Sequence, residues 1–343
     1  MKSASIGIVG LGYWGPNLVR NFVATNGWTV KYGCDTNEAN LAKVRALYPA
    51  ITYTTDIDDL LKDPELTAIA IATPTSAHFP LAKAALEAGK HVLIEKPITE
   101  TTAQADELIA LAKKKNLHIL VDHTFVYTGA VRKIRELKEK GELGDLYYFD
   151  STRINLGLIQ KDVNVLWDLA IHDLSILSQI WDLNTLKSLY AHGSKHYGDQ
   201  QEIGHLHLSF AGNFEAHIHV SWLSPVKLRH TIVGGTKKMV LFDDLEPSEK
   251  IRIYDAGVQK GNLGEQKPGD PFFPVYRSGD VLIPKIDNTE ALRTEAQHML
   301  AVVEGKEEPK VTGEARTVFT SCFSAACGSG LRKHEVSFRN LPI

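Results

Sequence analysis

The segment GIVGLGYWGPNL, Gly7 to Leu18, constrains this chain more than any other. Gly10, Gly12 and Gly15 stand in G-x-G-x-x-G spacing. An apolar strand pattern, SIGIVG, runs into them, and a helical pattern with Pro16 in its first turn runs out. Twenty residues past Gly15, at the end of the next strand pattern TVKYGCD, comes Asp35. Strand, glycine turn, helix, strand and acid in that order form the dinucleotide-binding fingerprint. Gly10 permits the tight turn, Gly12 lets backbone approach a pyrophosphate, and Gly15 lets helix and strand pack closely. The helix N-terminus presents unpaired N–H groups to the phosphates. Asp35 can accept from both hydroxyls of an adenosine ribose and would repel a 2′-phosphate. Thr36 and Asn37 offer no positive charge in compensation. The expected cofactor is therefore NAD, with NADP disfavoured, and Tyr13 and Trp14 of the loop count among the residues expected to bind it.

The rhythm around this fingerprint sets the fold class. TAIAIAT, KHVLIEK and LHILVD are the continuous apolar runs of a parallel sheet covered on both faces, and helical patterns alternate with them. After the charged helix AVRKIRELKEKGEL the spacing changes to longer strands at hairpin distances. The expectation is an α/β chain of two domains. Residues 1–122 form an N-terminal Rossmann domain with a doubly wound parallel sheet. Residues 123–343 form an α+β domain with a large, mainly antiparallel, open-faced sheet for substrate binding and oligomerisation. Ala256 to Asp280 reads as a long irregular loop, and helices are expected near 289–304 and 313–331.

Composition removes several classes of function. A net charge of −3 argues against a nucleic-acid or anionic-membrane surface. No apolar run approaches the roughly 18 residues of a membrane span, and MKSASIGIVGLGYWG does not read as a signal peptide. The three cysteines, Cys34, Cys322 and Cys327, form no C-x-x-C pair, which suits a reducing cytoplasm.

Chemistry-bearing residues cluster at strand ends. IEKPIT puts Glu95 and Lys96 at the C-terminal end of a parallel strand, where open α/β sheets bind ligands. ATPTSAH ends another such strand, with Thr73 and Pro74 expected along the nicotinamide side of the cofactor. His78 follows as a further cofactor contact or a cap of the next helix. NVLWDLAIHDLSIL reads as a buried helix, yet Asp168 and His172 fall four apart and share a face.

GLGYWG, the Asp35 strand end, TPTSAH, EKP and D-x-x-x-H occur in one order over nearly the whole chain. Together they resemble the glucose–fructose oxidoreductase/inositol dehydrogenase (Gfo/Idh/MocA) family. That resemblance implies a nicotinamide-dependent dehydrogenase acting on a sugar or cyclitol CH–OH group, with Lys96, Asp168 and His172 at the catalytic positions. Where many relatives carry glycines before and within D-x-x-x-H, this chain has Asn164 and Trp167. With RINLG at 153–157, they resemble the branch associated with nucleotide-sugar and polysaccharide biosynthesis.

The expected mechanism uses His172 as base toward the substrate hydroxyl, since its ordinary pKa lies near operating pH. Lys96 stabilises the reacting oxygen. Asp168 orients the ring or binds a neighbouring hydroxyl. Arg153 and Asn155 are expected to reach substrate anions, with Trp222, Lys227, Arg229, Tyr276 and Arg277 as weaker candidates. Alternatives are an inositol or cyclitol dehydrogenase and a non-catalytic NAD-sensing relative. The partners expected are a sugar or nucleotide sugar and further copies of the chain, as a homodimer or homotetramer joined through the C-terminal sheet.

HLHLSFAGNFEAHIHV predicts a hairpin about Gly212 that pairs His205 with His219 and His207 with His217 on one sheet face. No carboxylate or cysteine completes a ligand pattern in the sequence, so no metal site is assigned. The patch is expected inside a subunit interface that protonation would weaken.

Overall fold

The apolar runs of the first half become a six-stranded, all-parallel sheet in order β3-β2-β1-β4-β5-β6. Its strands are β1 (Ala4–Val9), β2 (Trp28–Cys34), β3 (Thr52–Thr54), β4 (Ala68–Ile71), β5 (His91–Glu95) and β6 (Ile119–Asp122). The structure, a computed structural model, describes residues 4–159, 163–260 and 274–310. The strand order reverses between β1 and β4, the doubly wound arrangement whose crevice binds ligands beyond the strand C-termini. β3, followed by the short helix Asp58–Leu61, is an edge strand that the sequence reading passed over.

Both sheet faces are covered. Ile6, Ile8, Leu18, Phe22, Leu93 and Leu120 pack on one side, and Val9, Ile69, Ile71, Val92, Ile94 and Val121 on the other. The helix Thr102–Lys115 begins with a capping box between Thr101 and Gln104. The helix Thr75–Glu87 is followed by Gly89 at φ +78°, a left-handed terminus suited to glycine.

The chain divides differently from the expected 1–122 and 123–343. Among the described residues, the first unit comprises 4–128 together with 288–310. The helix Ala291–Val303 forms as its pattern predicts, but it packs on the first sheet. Leu292, Ala296, Met299 and Val302 join the β1 core, and Trp28 Nε1 donates to Ala296 O at 2.8 Å. An apolar helix face goes where a complementary face waits, whatever its place in the sequence. The expected helix near 313–331, with Cys322 and Cys327, lies outside the described residues.

The second unit carries an eight-stranded sheet, order β16-β13-β12-β11-β7-β10-β9-β8. Its strands are β7 (Leu146–Leu156), β8 (Leu186–Ser194), β9 (Ile203–Phe210), β10 (Glu215–Ser221), β11 (Leu223–Gly235), β12 (Met239–Asp243), β13 (Ile251–Tyr254) and β16 (Val281–Leu282). Every pairing is antiparallel except β7 with β10. Alternation along the strands buries Phe149, Leu206, Leu208, Ala216, Ile218, Val233 and Val240 on one face. The other face carries Asp150, Thr152, His205, His207, His217 and His219, partly or fully exposed. Inside the segment read as an irregular loop, β14 (Gly257–Lys260) pairs with β15 (Pro274–Arg277). Residues 261–273 lie outside the described residues. No described helix is long and apolar enough to cross a membrane.

Candidate active site

The glycine loop is built by steric necessity. Gly10 has φ +88°, and a Cβ there would stand 2.6 Å from the Ala72 carbonyl oxygen. Only glycine lets the loop after β1 lie so close to the chain leaving β4. A Cβ at Gly15 would collide with the carbonyl oxygen of Gly10, whereas one at Gly12 would meet nothing within 4 Å. Gly10 and Gly15 are thus needed by the fold, and Gly12 opens onto empty space before the helix Gly15–Val23.

Asp35 is locked to this loop. Its Oδ2 accepts from Leu11 N–H at 2.6 Å and from the Asn40 side chain at 3.1 Å, and its Oδ1 accepts from Asn37 N–H at 2.8 Å. Thr73 Oγ1 is buried and has no hydrogen-bond partner among the described residues. Open space over Gly12, a carboxylate held at the loop and an unsatisfied hydroxyl fit a dinucleotide with an unphosphorylated ribose. Tyr13 projects into solvent, 93% exposed, and Pro74 leads into the helix Thr75–Glu87.

Two expected cofactor contacts have other duties. Trp14 Nε1 donates to Asp122 Oδ2 at 2.9 Å, so this indole anchors the loop to the end of β6. His78 is 1% exposed, with Nδ1 2.9 Å from Pro97 O and Nε2 2.8 Å from Thr73 O. It ties the loops after β4 and β5 together rather than reaching outward. Burial lowers its pKa, so it is a neutral ring that donates to one carbonyl at a time.

Lys96 stands where expected, directly after β5, with its N–H donating to Glu95 Oε2 at 3.0 Å. Beside it lies a cluster that sequence reading missed. Glu95 and Asp122 are register partners on β5 and β6, and Glu295 joins them from the helix Ala291–Val303. Burial first, then the neighbouring Asp122 charge, push Glu95 and Glu295 well above the carboxylate range. Thr124 Oγ1 donates to Asp122 Oδ1 at 2.7 Å, so Asp122 accepts from both Thr124 and Trp14. Glu95, beside Lys96, and Glu295 are thus both pushed toward the acid form. Adjacent His123 is fully enclosed, its pKa pulled down to about 4 by burial.

In the second unit the Asp168 segment is not one regular helix. Leu166–Ala170 forms a π-helical turn that passes into the α-helix Ile171–Leu177. Such insertions recur at functional sites because they re-aim a side chain. Asn164, read as a branch marker, is the buried cap of this segment: its Oδ1 accepts from the N–H groups of Leu166 and Trp167, both at 3.1 Å. Asp168 Oδ2 accepts from Trp222 Nε1 at 3.1 Å. A Cβ at Gly157 would meet the Trp222 ring at 2.8 Å and Asn155 Nδ2 at 3.1 Å. Asn155 and Asp168 are therefore both neighbours of the Trp222 indole, and Asp168 and His172 are half-buried there.

Arg153 is engaged inside the fold. It is 3% exposed, and its guanidinium bonds Asp173, Nε to Oδ2 at 3.0 Å and Nη2 to Oδ1 at 3.0 Å. Ser151 Oγ adds a bond to the same carboxylate at 2.8 Å. A cation at that depth needs a buried anion, and Asp173 is it; this pair fastens the helix Ile171–Leu177 to β7. Arg229 pairs with Asp244 and Arg277 with Asp255, while Lys227 and Tyr276 are exposed.

Comparison with known proteins agrees with this architecture. Residues 4–123 match the GFO/IDH/MocA model described as an oxidoreductase family with an NAD-binding Rossmann fold, and residues 131–241 match the GFO/IDH/MocA C-terminal domain. The chain is 38% identical over 147 residues to the uncharacterized oxidoreductase YdgJ of Escherichia coli K12, covering 43% of this chain and 42% of YdgJ. It is 32% identical over 171 residues to UDP-N-acetylglucosamine 3-dehydrogenase of Acidithiobacillus ferrooxidans, covering 50% and 52% of the two. The aligned regions thus span about half or less of these curated relatives. The solved structure of that dehydrogenase has a TM-score of 0.76 at 23% identity, covering 94% of this chain and 97% of its own. Levoglucosan dehydrogenase, solved with NADH and L-sorbose, has a TM-score of 0.79 at 18% identity, covering 95% of this chain and 97% of its own. These structural likenesses show the fold.

Proposed function

The chain belongs to the Gfo/Idh/MocA oxidoreductase family, and from that premise we propose that it is an NAD-dependent dehydrogenase acting on a CH–OH group of a sugar or nucleotide sugar. The observation carrying this reading is Asp168, half-buried on a π-helical turn and fixed by the Trp222 indole four residues before His172. A carboxylate accepts at several lone pairs, so one oriented by the Trp222 indole can also accept from a substrate hydroxyl or an imidazole N–H. His172 takes the proton of the hydroxyl that is oxidised. Lys96 stabilises the negative charge that develops on that oxygen. The nicotinamide of bound NAD would supply the hydride acceptor. Asp35 reads the ribose, and the glycine loop and the helix behind Gly15 hold the phosphates. Asn155 binds a neighbouring polar group of the substrate.

A nucleotide-sugar substrate is favoured by the Asn164–Trp167 sequence and by the relative named UDP-N-acetylglucosamine 3-dehydrogenase. We read the enzyme as cytoplasmic and as a homodimer or homotetramer joined through the open face of the eight-stranded sheet. The test is reduction of NAD and of NADP by UDP-N-acetylglucosamine, other UDP-sugars, free hexoses and myo-inositol. Turnover with a UDP-sugar and NAD is expected. Turnover with myo-inositol alone would select the cyclitol reading, and bound NADH that no substrate alters would select an NAD sensor.

A further inference from the structure

The two histidine pairs of the β9–β10 hairpin are not equivalent. Phe210 N–H donates to Phe214 O, so pairs 209/215, 207/217 and 205/219 fall at non-hydrogen-bonded positions, where side chains stand closest. The His205 and His219 rings stack face to face, centroids 4.4 Å apart and planes 9° apart. Ring nitrogen lone pairs lie in the ring plane, so stacked rings cannot aim them at one point. The His207 and His217 rings are instead tilted by 49°, and their Nδ1 atoms lie 3.1 Å apart.

Two imidazole nitrogens on a tetrahedral zinc ion, each at about 2.05 Å, span roughly 3.3 Å. The observed spacing is nearly that bite. Carboxylates flank the pair: Glu215 Oε2 lies 3.2 Å from His207 Nε2 and also accepts from Ser209 Oγ at 2.7 Å. That contact keeps the His207 proton on Nε2 and its Nδ1 lone pair toward His217. A carboxylate behind a histidine is the usual outer support of a metal ligand. On the far side, Asp150 of β7 is the register partner of His217 on the same face, and Tyr190 of β8 is the partner of His207.

We propose that His207 and His217 chelate a divalent transition metal ion of the imidazole-seeking class, such as zinc, with Glu215 as positioning residue. No described group of three or more His, Cys, Asp or Glu side chains is placed to hold a metal. Each chain therefore supplies two ligands, and water or the same pair of a second copy supplies the rest. The inference does not depend on the dehydrogenase reading.

The experiment is calorimetric titration of the untagged full chain with zinc chloride at neutral pH, with melting temperature as the folding control. Saturable uptake of one ion per chain, or one per two chains, is expected. His217→Ala should weaken it at least tenfold, as the loss of one of two ligands requires, and Glu215→Gln by about 10–100-fold. His219→Ala, in the stacked pair, should leave it unchanged. No saturable uptake, or equal uptake by a folded His217→Ala variant, would overturn the site.

Discussion

The indole N–H of Trp222 donates to Oδ2 of Asp168 at 3.1 Å, joining the β10–β11 connection to the π-helical turn before His172. The donor is 2% exposed, so the bond forms where water competes little. Trp222→Phe keeps most of the ring and removes the donor. Loss of a hydrogen bond to a charged group costs about 1.5–3 kcal/mol, so a fall in turnover of about tenfold or more is expected. Steady-state kinetics with whichever substrate the NAD-reduction screen identifies checks it; unchanged turnover would show that the Asp168 orientation is set elsewhere.

His172→Ala should lower turnover by about 10²–10⁴-fold, the usual contribution of a positioned base. NADH affinity, read by fluorescence titration, should stay at the wild-type value, because the glycine loop and Asp35 belong to the other unit. Near-normal turnover would remove His172 from the mechanism.

Arg153 and Asp173 predict a stability effect rather than a binding one. Removing one member of a buried ion pair leaves an uncompensated charge and costs about 3–5 kcal/mol. Arg153→Met should therefore lower the denaturation midpoint sharply, and Arg153→Met with Asp173→Leu should recover most of it. Were Arg153 a substrate contact, Arg153→Met would raise KM and leave the midpoint alone.

These cases show which features local sequence carries. The glycine fingerprint, Asp35 and Lys96 are legible because each position is tied to a strand end, and strand ends follow from apolar runs. Asn164 and Arg153 were visible as residue types but not as partners: a cap needs its helix to start at that residue, and a buried pair needs helix Ile171–Leu177 laid on β7. The π-helical turn leaves the leucine spacing almost unaltered, so periodicity cannot reveal it. In the sequence nothing separates Glu295 from the other acids of the segment 289–304. Its burial beside Asp122 follows from that helix returning to the first sheet, which is topology, and no local pattern encodes it.

That carboxyl cluster makes stability depend on pH. Glu95 and Glu295 have raised pKa values in the fold, so the unfolded chain ionises them first as pH rises. Their effect is absent below the ordinary glutamate range and becomes an increasing loss of stability above it. His91 and His123, each lowered to about 4 by burial, act on the acid side: stability falls as pH drops below about 6.5 toward 4. Glu295→Gln should raise the melting temperature relative to wild type, with a gap that widens from about pH 5 to about pH 8. Thermal melts across that range check it; a gap that narrows with pH would mean Glu295 is ionised in the fold.

Gly12 and Gly15 sit three residues apart and should fail in different ways. A Cβ on Gly15 runs into the Gly10 carbonyl, so Gly15→Ala forces the helix away from β1 and should lower the melting temperature. A Cβ on Gly12 meets nothing within 4 Å, so Gly12→Ala should melt like wild type. If the open space over Gly12 is where the pyrophosphate lies, that same methyl group displaces it, and NADH affinity should fall by about tenfold or more, a steric penalty of at least ~1.4 kcal/mol. Melting temperature and fluorescence titration on the two variants separate a glycine required by the fold from one required by the ligand. Wild-type NADH affinity in a folded Gly12→Ala variant would place the phosphates elsewhere on the loop.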